Sequence, residues 1–170
     1  MSPSPVTLTQ GYAPGAIGRI AELHGVSYAR LAGFGLPFES LVAGEVAAFC
    51  AGLRAGQDGL WLAWQDGRIE GCIAIQGSAA AEGTAHLRWF LVSEALRGRG
   101  TGRALLSEAL AFCRATGVAQ VDLWTFAGLD AARRLYEEAG FRLVAQQSGA
   151  RWGTEVTEQR FVLELRPPLA

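Results

Sequence analysis

ALRGRGTGRALL, Ala95–Leu106, places Gly98, Gly100 and Gly102 at alternate positions and sets Arg97, Arg99 and Arg103 around them. Immediately upstream lies the apolar run Trp89–Val92. Downstream, Leu105, Leu106, Ala109, Leu110 and Cys113 recur with the period of a helix that ends before Gly117. The glycines therefore join the end of a buried strand to the first turn of a helix. A helix N-terminus exposes about four N–H groups without partners and a partial positive charge, and bare backbone lets an anion reach them. The stretch is read as a phosphate cradle within an α/β fold, the alternative being a tight strand-to-helix turn that uses glycine for its backbone angles alone.

Working outward, Val6–Gln10 alternates as a first strand. Pro14 opens a helical pattern that puts Ile17, Ile20, His24, Tyr28 and Leu31 on one face. A second helix is expected over Phe38–Leu53, with Leu41, Val42, Val46 and Phe49 inward. LWLAWQDGRIEGCIAIQG reads as a hairpin turned by Asp66-Gly67, its second strand ending near Gln76. A loop over Ser78–Gly83 leads to a strand over Thr84–Val92, apolar on both faces at its end and so central in the sheet. Beyond the glycine-opened helix come a strand over Val118–Thr125, a helix over Asp130–Ala139 closed by Gly140, and strands over Phe141–Gln147 and Glu155–Leu165. With no internal repeat or linker, residues 1–170 are expected to form one domain.

Composition removes several functions. Apolar runs reach only about six residues against the roughly 20 that span a bilayer, and the N-terminus lacks a basic flank and an apolar core. A soluble, unexported, cytoplasmic protein without membrane partners is expected. Net charge is −1 with no basic block, which argues against a nucleic-acid partner. Cys50, Cys72 and Cys113 stand in apolar contexts without metal-like spacing, so buried thiols are expected and no metal site. All 15 basic residues are arginine, and the chain has neither lysine nor asparagine. A Walker A loop needs a lysine after its last glycine and is excluded. A Rossmann fingerprint fails at Arg103, where its third glycine would stand, and Asp122 lies inside a strand rather than at its end, so dinucleotide binding stays open only as an alternative.

Arg97-x-x-Gly100-x-Gly102 resembles the pyrophosphate-binding signature of the GCN5-related N-acetyltransferases (GNAT family), and AARRLYEEAGFRLV resembles that family's fourth helix and following strand. The order of elements agrees over nearly the whole chain. GYAPGAIGRIAELHGVSYARLAGF and AARRLYEEAGF are also similar to acetyltransferase domains fused behind MarR-type regulators; no helix-turn-helix precedes the domain, so a stand-alone relative is expected. The resemblance implies a central mixed, mostly antiparallel sheet of about seven strands flanked by about four helices. It also implies acetyl-CoA as donor, CoA as product and a small-molecule or peptide amine as acceptor, and it is compatible with a homodimer. The backbone of Phe90, Leu91 and Val92 would pair with the pantetheine arm as an added strand does. N–H groups over Gly98, Arg99, Gly100, Thr101 and Gly102 would hold the pyrophosphate, with charge from Arg97 and Arg99. Where the family often has an asparagine early in the fourth helix, this chain has Leu129, so that contact is absent or replaced.

Direct attack on a thioester needs a proton removed from the amine and the departing sulfur stabilised. Tyr136 matches the family's general acid; the alternative is a core tyrosine with a satisfied hydroxyl. His86 stands near the fourth-strand position where some relatives carry a glutamate, and an imidazole suits the base. A water relay, capture of an already neutral amine, and Glu82 compete with it. His24 and Tyr28, one turn apart, either wall the acceptor pocket or fill the core. Trp61, Trp64, Trp89, Trp124 and Trp152 are read as core filler before an aromatic cage, and Glu39, Glu45 and Asp130 as solvated before amine-attracting. A non-catalytic acyl-CoA-binding module stands as the second reading.

Overall fold

A computed structural model describes residues 4–165. Its strands are β1 (Thr7–Gln10), β2 (Gly59–Gln65), β3 (Arg68–Gly77), β4 (Thr84–Val92), β5 (Gln120–Phe126), β6 (Arg142–Gly149) and β7 (Val156–Glu164). They form one seven-stranded sheet in the order β1-β2-β3-β4-β5-β7-β6, antiparallel everywhere except between β4 and β5. The helices are α1 (Ala16–Ala32), α2 (Leu36–Ala51), α3 (Thr101–Ala115) and α4 (Asp130–Ala139). This is the mixed α/β architecture read from the sequence, with β4 at the centre of the sheet.

Local chemistry explains most boundaries. Asp66 and Gly67, at φ 50 and 75, form the left-handed pair that a two-residue hairpin turn needs. Gly33 and Gly140 close α1 and α4 in the same conformation, each returning its N–H to the last turn. Some expectations need correcting. α1 opens at Ala16 rather than at Pro14, because Gly15 takes the turn at φ 89. β5 begins two residues later than expected, since Val118 and Ala119 are held by the Cys113 and Gly83 carbonyls. Leu31, expected inward, is 57% exposed, because the last turn of α1 faces a surface groove beside Arg97 and not the sheet.

Each face of the sheet carries its own core. One packs Trp61, Ile73, Ile75, Ala85, Leu87 and Val121 beneath α3 and α4; the other packs Leu60, Leu62, Cys72, Ala74, Trp89 and Leu91 beneath α1 and α2. Along β4 the alternation changes phase: Ala85 and Leu87 face α3, whereas Trp89 and Leu91 face α1. A bulge causes the change. Cys72 pairs with Leu91 and Ala74 with Arg88, leaving Trp89 and Phe90 together opposite Ile73. One inserted residue turns every later side chain to the other face. Trp89 takes the strain at φ 46, unusual for so bulky a residue, and its carbonyl accepts a bond from the Cys72 thiol at 3.1 Å.

The three cysteines are unpaired. Burial pushes the Cys72 thiol up to about 12 and that of Cys113 to about 11, whereas Cys50 is half-buried rather than fully enclosed. Among the described residues no helix is long and apolar enough to cross a membrane.

Candidate active site

The parallel ladder between β4 and β5 consists of Thr84–Gln120, Ala85–Val121 and His86–Asp122 and then stops. β4 continues to Val92 and β5 to Phe126 without pairing, so a wedge opens between them. The backbone edge of Phe90, Leu91 and Val92 toward β5 is left without a strand partner. At the far end of β4 the chain passes through a 3-10 turn into the glycine segment. Gly98 and Gly100 sit at φ 71 and 76, with open space where a Cβ would stand. The first helical bond of α3 is Ala104 N–H to the Gly100 carbonyl at 3.0 Å, and no side chain caps the helix. Among the described residues the N–H groups of Thr101, Gly102 and Arg103 therefore have no partner, as an anion-binding turn requires.

Gly102 serves a different purpose from its two neighbours. A Cβ there would meet Leu135 at 3.1 Å and Phe90 and Val92 at 3.6 Å, so its bareness allows α3 to pack against α4 and β4. The flanking arginines are also partly engaged. Arg99 donates to the Ser4 carbonyl at 2.7 Å, Arg97 lies 3.7 Å from Glu94, and Arg103 bridges to Glu138 on α4.

The wedge opens into a cavity of about 300 Å³ that gathers His24, Tyr28, His86, Phe90, Leu129 and Tyr136. Tyr136 comes from the α3/α4 core and His86 from the opposite face, and they share one space because the strands part between them. The Tyr136 ring is fixed edge-on against Phe141 at 5.7 Å and tilted against Phe90 at 5.8 Å. Its phenol has no hydrogen-bond partner among the described residues, and burial, with Tyr28 adding to it, raises its pKa well above the ordinary value. It is a protonated donor at neutral pH.

His86 has partners that the sequence reading missed. Its Nδ1 donates to Asp122 on β5, which also accepts from Arg160 on β7 at 2.8 Å. Burial raises the Asp122 carboxyl, but the bonds from His86 and Arg160 outweigh it and hold the group below the ordinary range. An ionised Asp122 fixes the imidazole tautomer, leaving Nε2 as the acceptor. The only local signal for Asp122 is an acid inside an otherwise apolar strand; Arg160 has none, because it reaches Asp122 only through the pairing of β5 with β7.

On α1, His24 donates from Nδ1 to the Ile20 carbonyl at 2.8 Å and lies 5.9 Å from the Tyr28 ring. Burial lowers the His24 pKa from 6.5 to about 4 and pushes the Tyr28 phenol up to about 12, so both are neutral wall groups. This has a consequence for stability. The unfolded chain takes a proton on His24 from pH 6.5 downward while the fold resists it to about 4, so acid weakens the fold in that window. Paired carboxylates lose their contribution lower, as pH falls through their depressed values. Urea unfolding of the wild type between pH 7 and 4.5 is expected to show a loss of about 2 kcal/mol. His24→Gln should flatten it; an unchanged slope would assign the loss elsewhere.

The tryptophans divide. Trp89, Trp124 and Trp152 line the cavity, whereas Trp61 is core and Trp64 donates to Thr9 at 2.8 Å on the outer strands. Glu45 lines the cavity and pairs with Arg88, while Glu39 and Asp130 are exposed away from it. Among the described residues no cluster of His, Cys, Asp or Glu is arranged to hold a metal ion.

Comparison with known proteins identifies the family and the fold. The sequence profile of the acetyltransferase (GNAT) family matches residues 27–141. An N-acetylaspartate synthetase of Danio rerio is 35% identical over 86 residues, 51% of this chain and 30% of its own. A mycothiol acetyltransferase of Beutenbergia cavernae is 36% identical over 86 residues, 51% of this chain and 29% of its own. The matches thus span less than a third of these curated relatives. Among solved structures, a GNAT-family acetyltransferase of Staphylococcus aureus superposes with TM-score 0.76 at 15% identity, covering 95% of this chain and 100% of that one. A Salmonella typhimurium protein solved with its cofactor acetyl-CoA gives TM-score 0.74 at 21% identity, with 96% of each chain covered.

Proposed function

The chain belongs to the acetyltransferase (GNAT) family, and from that premise we propose that it moves an acetyl group from acetyl-CoA to a primary amine by direct attack in a ternary complex. The observation that carries this reading is the wedge between β4 and β5. It is the place where a donor entering from the α3/α4 side and an acceptor entering from the α1/α2 side can meet. The residues present fit the donor. Open space at Gly98 and Gly100, the three N–H groups at the start of α3, and the positive ends of Arg97 and Arg99 suit a pyrophosphate. The unpaired edge of β4 suits the amide-bearing pantetheine arm, which it holds without an asparagine, Leu129 standing at the start of α4. The likeness to MarR-fused acetyltransferase domains rests on the sequence blocks that form α1 and α4.

Acetyl-CoA supplies the thioester carbonyl: the amine nitrogen forms a bond to that carbon as the carbon–sulfur bond breaks. His86 Nε2 takes the proton from the amine, with Asp122 and Arg160 holding the ring in place. Tyr136 donates its hydroxyl proton toward the departing sulfur. Because burial weakens the phenol as an acid, its contribution is a hydrogen bond more than a completed transfer.

The direct test is isothermal titration with acetyl-CoA, with NAD and CoA lacking its 3′-phosphate as controls, followed by transfer to an amine panel. Micromolar acetyl-CoA binding with NAD silent and a new amide on one amine sustains the reading. Binding without transfer to any amine makes the chain an acyl-CoA-binding module, and no binding by folded protein overturns both. Within the enzyme, Tyr136→Phe is expected to leave acetyl-CoA affinity within about twofold and to lower kcat by roughly tenfold or more. Wild-type turnover in that variant would remove Tyr136 from the chemistry.

A further inference from the structure

Arg151 stands in the loop between β6 and β7 and reaches over the mouth of the cavity. Its guanidinium carbon lies over the Trp124 ring, 4.0 Å from the centroid, and 6.0 Å from that of Trp152. Other charges at the cavity are matched: Arg88 bonds to Glu45 and, at 3.0 Å, to Gln76, and Asp122 is held by His86 and Arg160. Arg151 is not. Among the described residues its guanidinium makes no hydrogen bond. The Glu158 carboxylate lies 3.6 Å from Nε, and its oxygens already accept from the Arg151 backbone at 2.9 Å and from Gln147 at 3.2 Å.

The loop is held in place for this. Gly153 packs so closely on the start of α2 that a Cβ would lie 2.8 Å from Pro37, and Trp152 is set against Phe126 at 5.6 Å. With its carbon over the Trp124 ring and its Nε toward Glu158, the guanidinium keeps its two terminal nitrogens without a hydrogen-bond partner among the described residues, a pair of donors for whatever enters. That pair matches a carboxylate. The guanidinium also occupies the Trp124 face that an aromatic cage would offer to a cation.

We infer that Arg151, seated over Trp124, is the carboxylate-recognition residue of the acceptor site. The acceptor is then an amine that also bears a carboxylate, with an apolar side group against Phe38, Leu41 and Phe126: an acceptor of the amino-acid class. This rests on the acetyltransferase reading for the name acceptor, but the binding it predicts does not need turnover.

The test is equilibrium binding, read by tryptophan fluorescence in the presence of CoA, of matched ligand pairs. Phenylalanine is compared with 2-phenylethylamine, and leucine with 3-methylbutylamine. Wild-type protein is expected to bind the carboxylate-bearing member about tenfold to a hundredfold more tightly. Arg151→Gln should erase the difference, and Arg151→Lys should keep part of it. Equal affinities, a preference that survives Arg151→Gln in folded protein, or no binding of any member overturns the inference. The readings separate cleanly. Carboxylate-dependent binding without acetyl transfer removes the enzyme and keeps the site; transfer to amines regardless of carboxylate keeps the enzyme and removes the site.

Discussion

Replacing His86 with alanine is expected to lower kcat about a hundredfold or more while leaving acetyl-CoA affinity unchanged, and added imidazole should restore part of the rate. The expectation follows from how the side chain is held. His86 pairs with Asp122 across the last rung of the parallel ladder, so its ring stands where the strands separate. Bonded through Nδ1, the side chain lines the cavity with Nε2 left as its acceptor. Asp122→Asn tests the orienting step separately. An amide in that place can present its NH₂ to Nδ1, which would then become the acceptor and move the ring proton to Nε2. Turnover should fall even though the histidine remains. Two results would assign the base elsewhere, to water or to no group at all. One is turnover within about threefold of wild type in His86→Ala. The other is a fall in rate that imidazole does not reverse and that tracks a loss of thermal stability.

What the sequence made legible were features whose signals are local. A glycine-rich joint between an apolar run and a helical period located β4 and α3, and Asp66-Gly67 located a hairpin. Tyr136 and His86 were picked as candidates because their residue types and positions match a family pattern, and both line the same cavity. Features that depend on register were not legible. The bulge at Trp89 changes the phase of β4, and no tryptophan in an apolar run announces a positive φ. Asp122 and Arg160 belong to the site only through strand pairing, from positions 38 residues apart. Gly102 looked like Gly98 and Gly100 in the quoted stretch; its purpose became visible only when Leu135 was seen to occupy the space beside it. The tryptophans looked alike in the sequence; Trp89 and Trp124 reach the cavity from strands and Trp152 from the loop between β6 and β7.

Gly100→Glu is expected to abolish acetyl-CoA binding in calorimetric titration, a loss of at least about a hundredfold, while the protein stays folded. Gly100 caps α3 at φ 76 with nothing within 4 Å of an added Cβ, so the side chain finds room. The left-handed backbone costs a non-glycine residue about 1 kcal/mol, which a fold of ordinary stability tolerates. The new carboxylate, however, lies beside the N–H groups proposed to hold the pyrophosphate. It repels a second anion there and can accept those N–H groups itself, as capping acids do at helix N-termini. Gly100→Asn separates charge from bulk, since asparagine tolerates positive φ and carries no charge; a much smaller loss is expected. Gly102→Glu cannot make this distinction, because a side chain there strikes Leu135, Phe90 and Val92 and disturbs the packing of α3 whatever the ligand. If folded Gly100→Glu binds acetyl-CoA as wild type does, ALRGRGTGRALL is a turn and nothing more, and the donor proposed for this wedge loses its anchor.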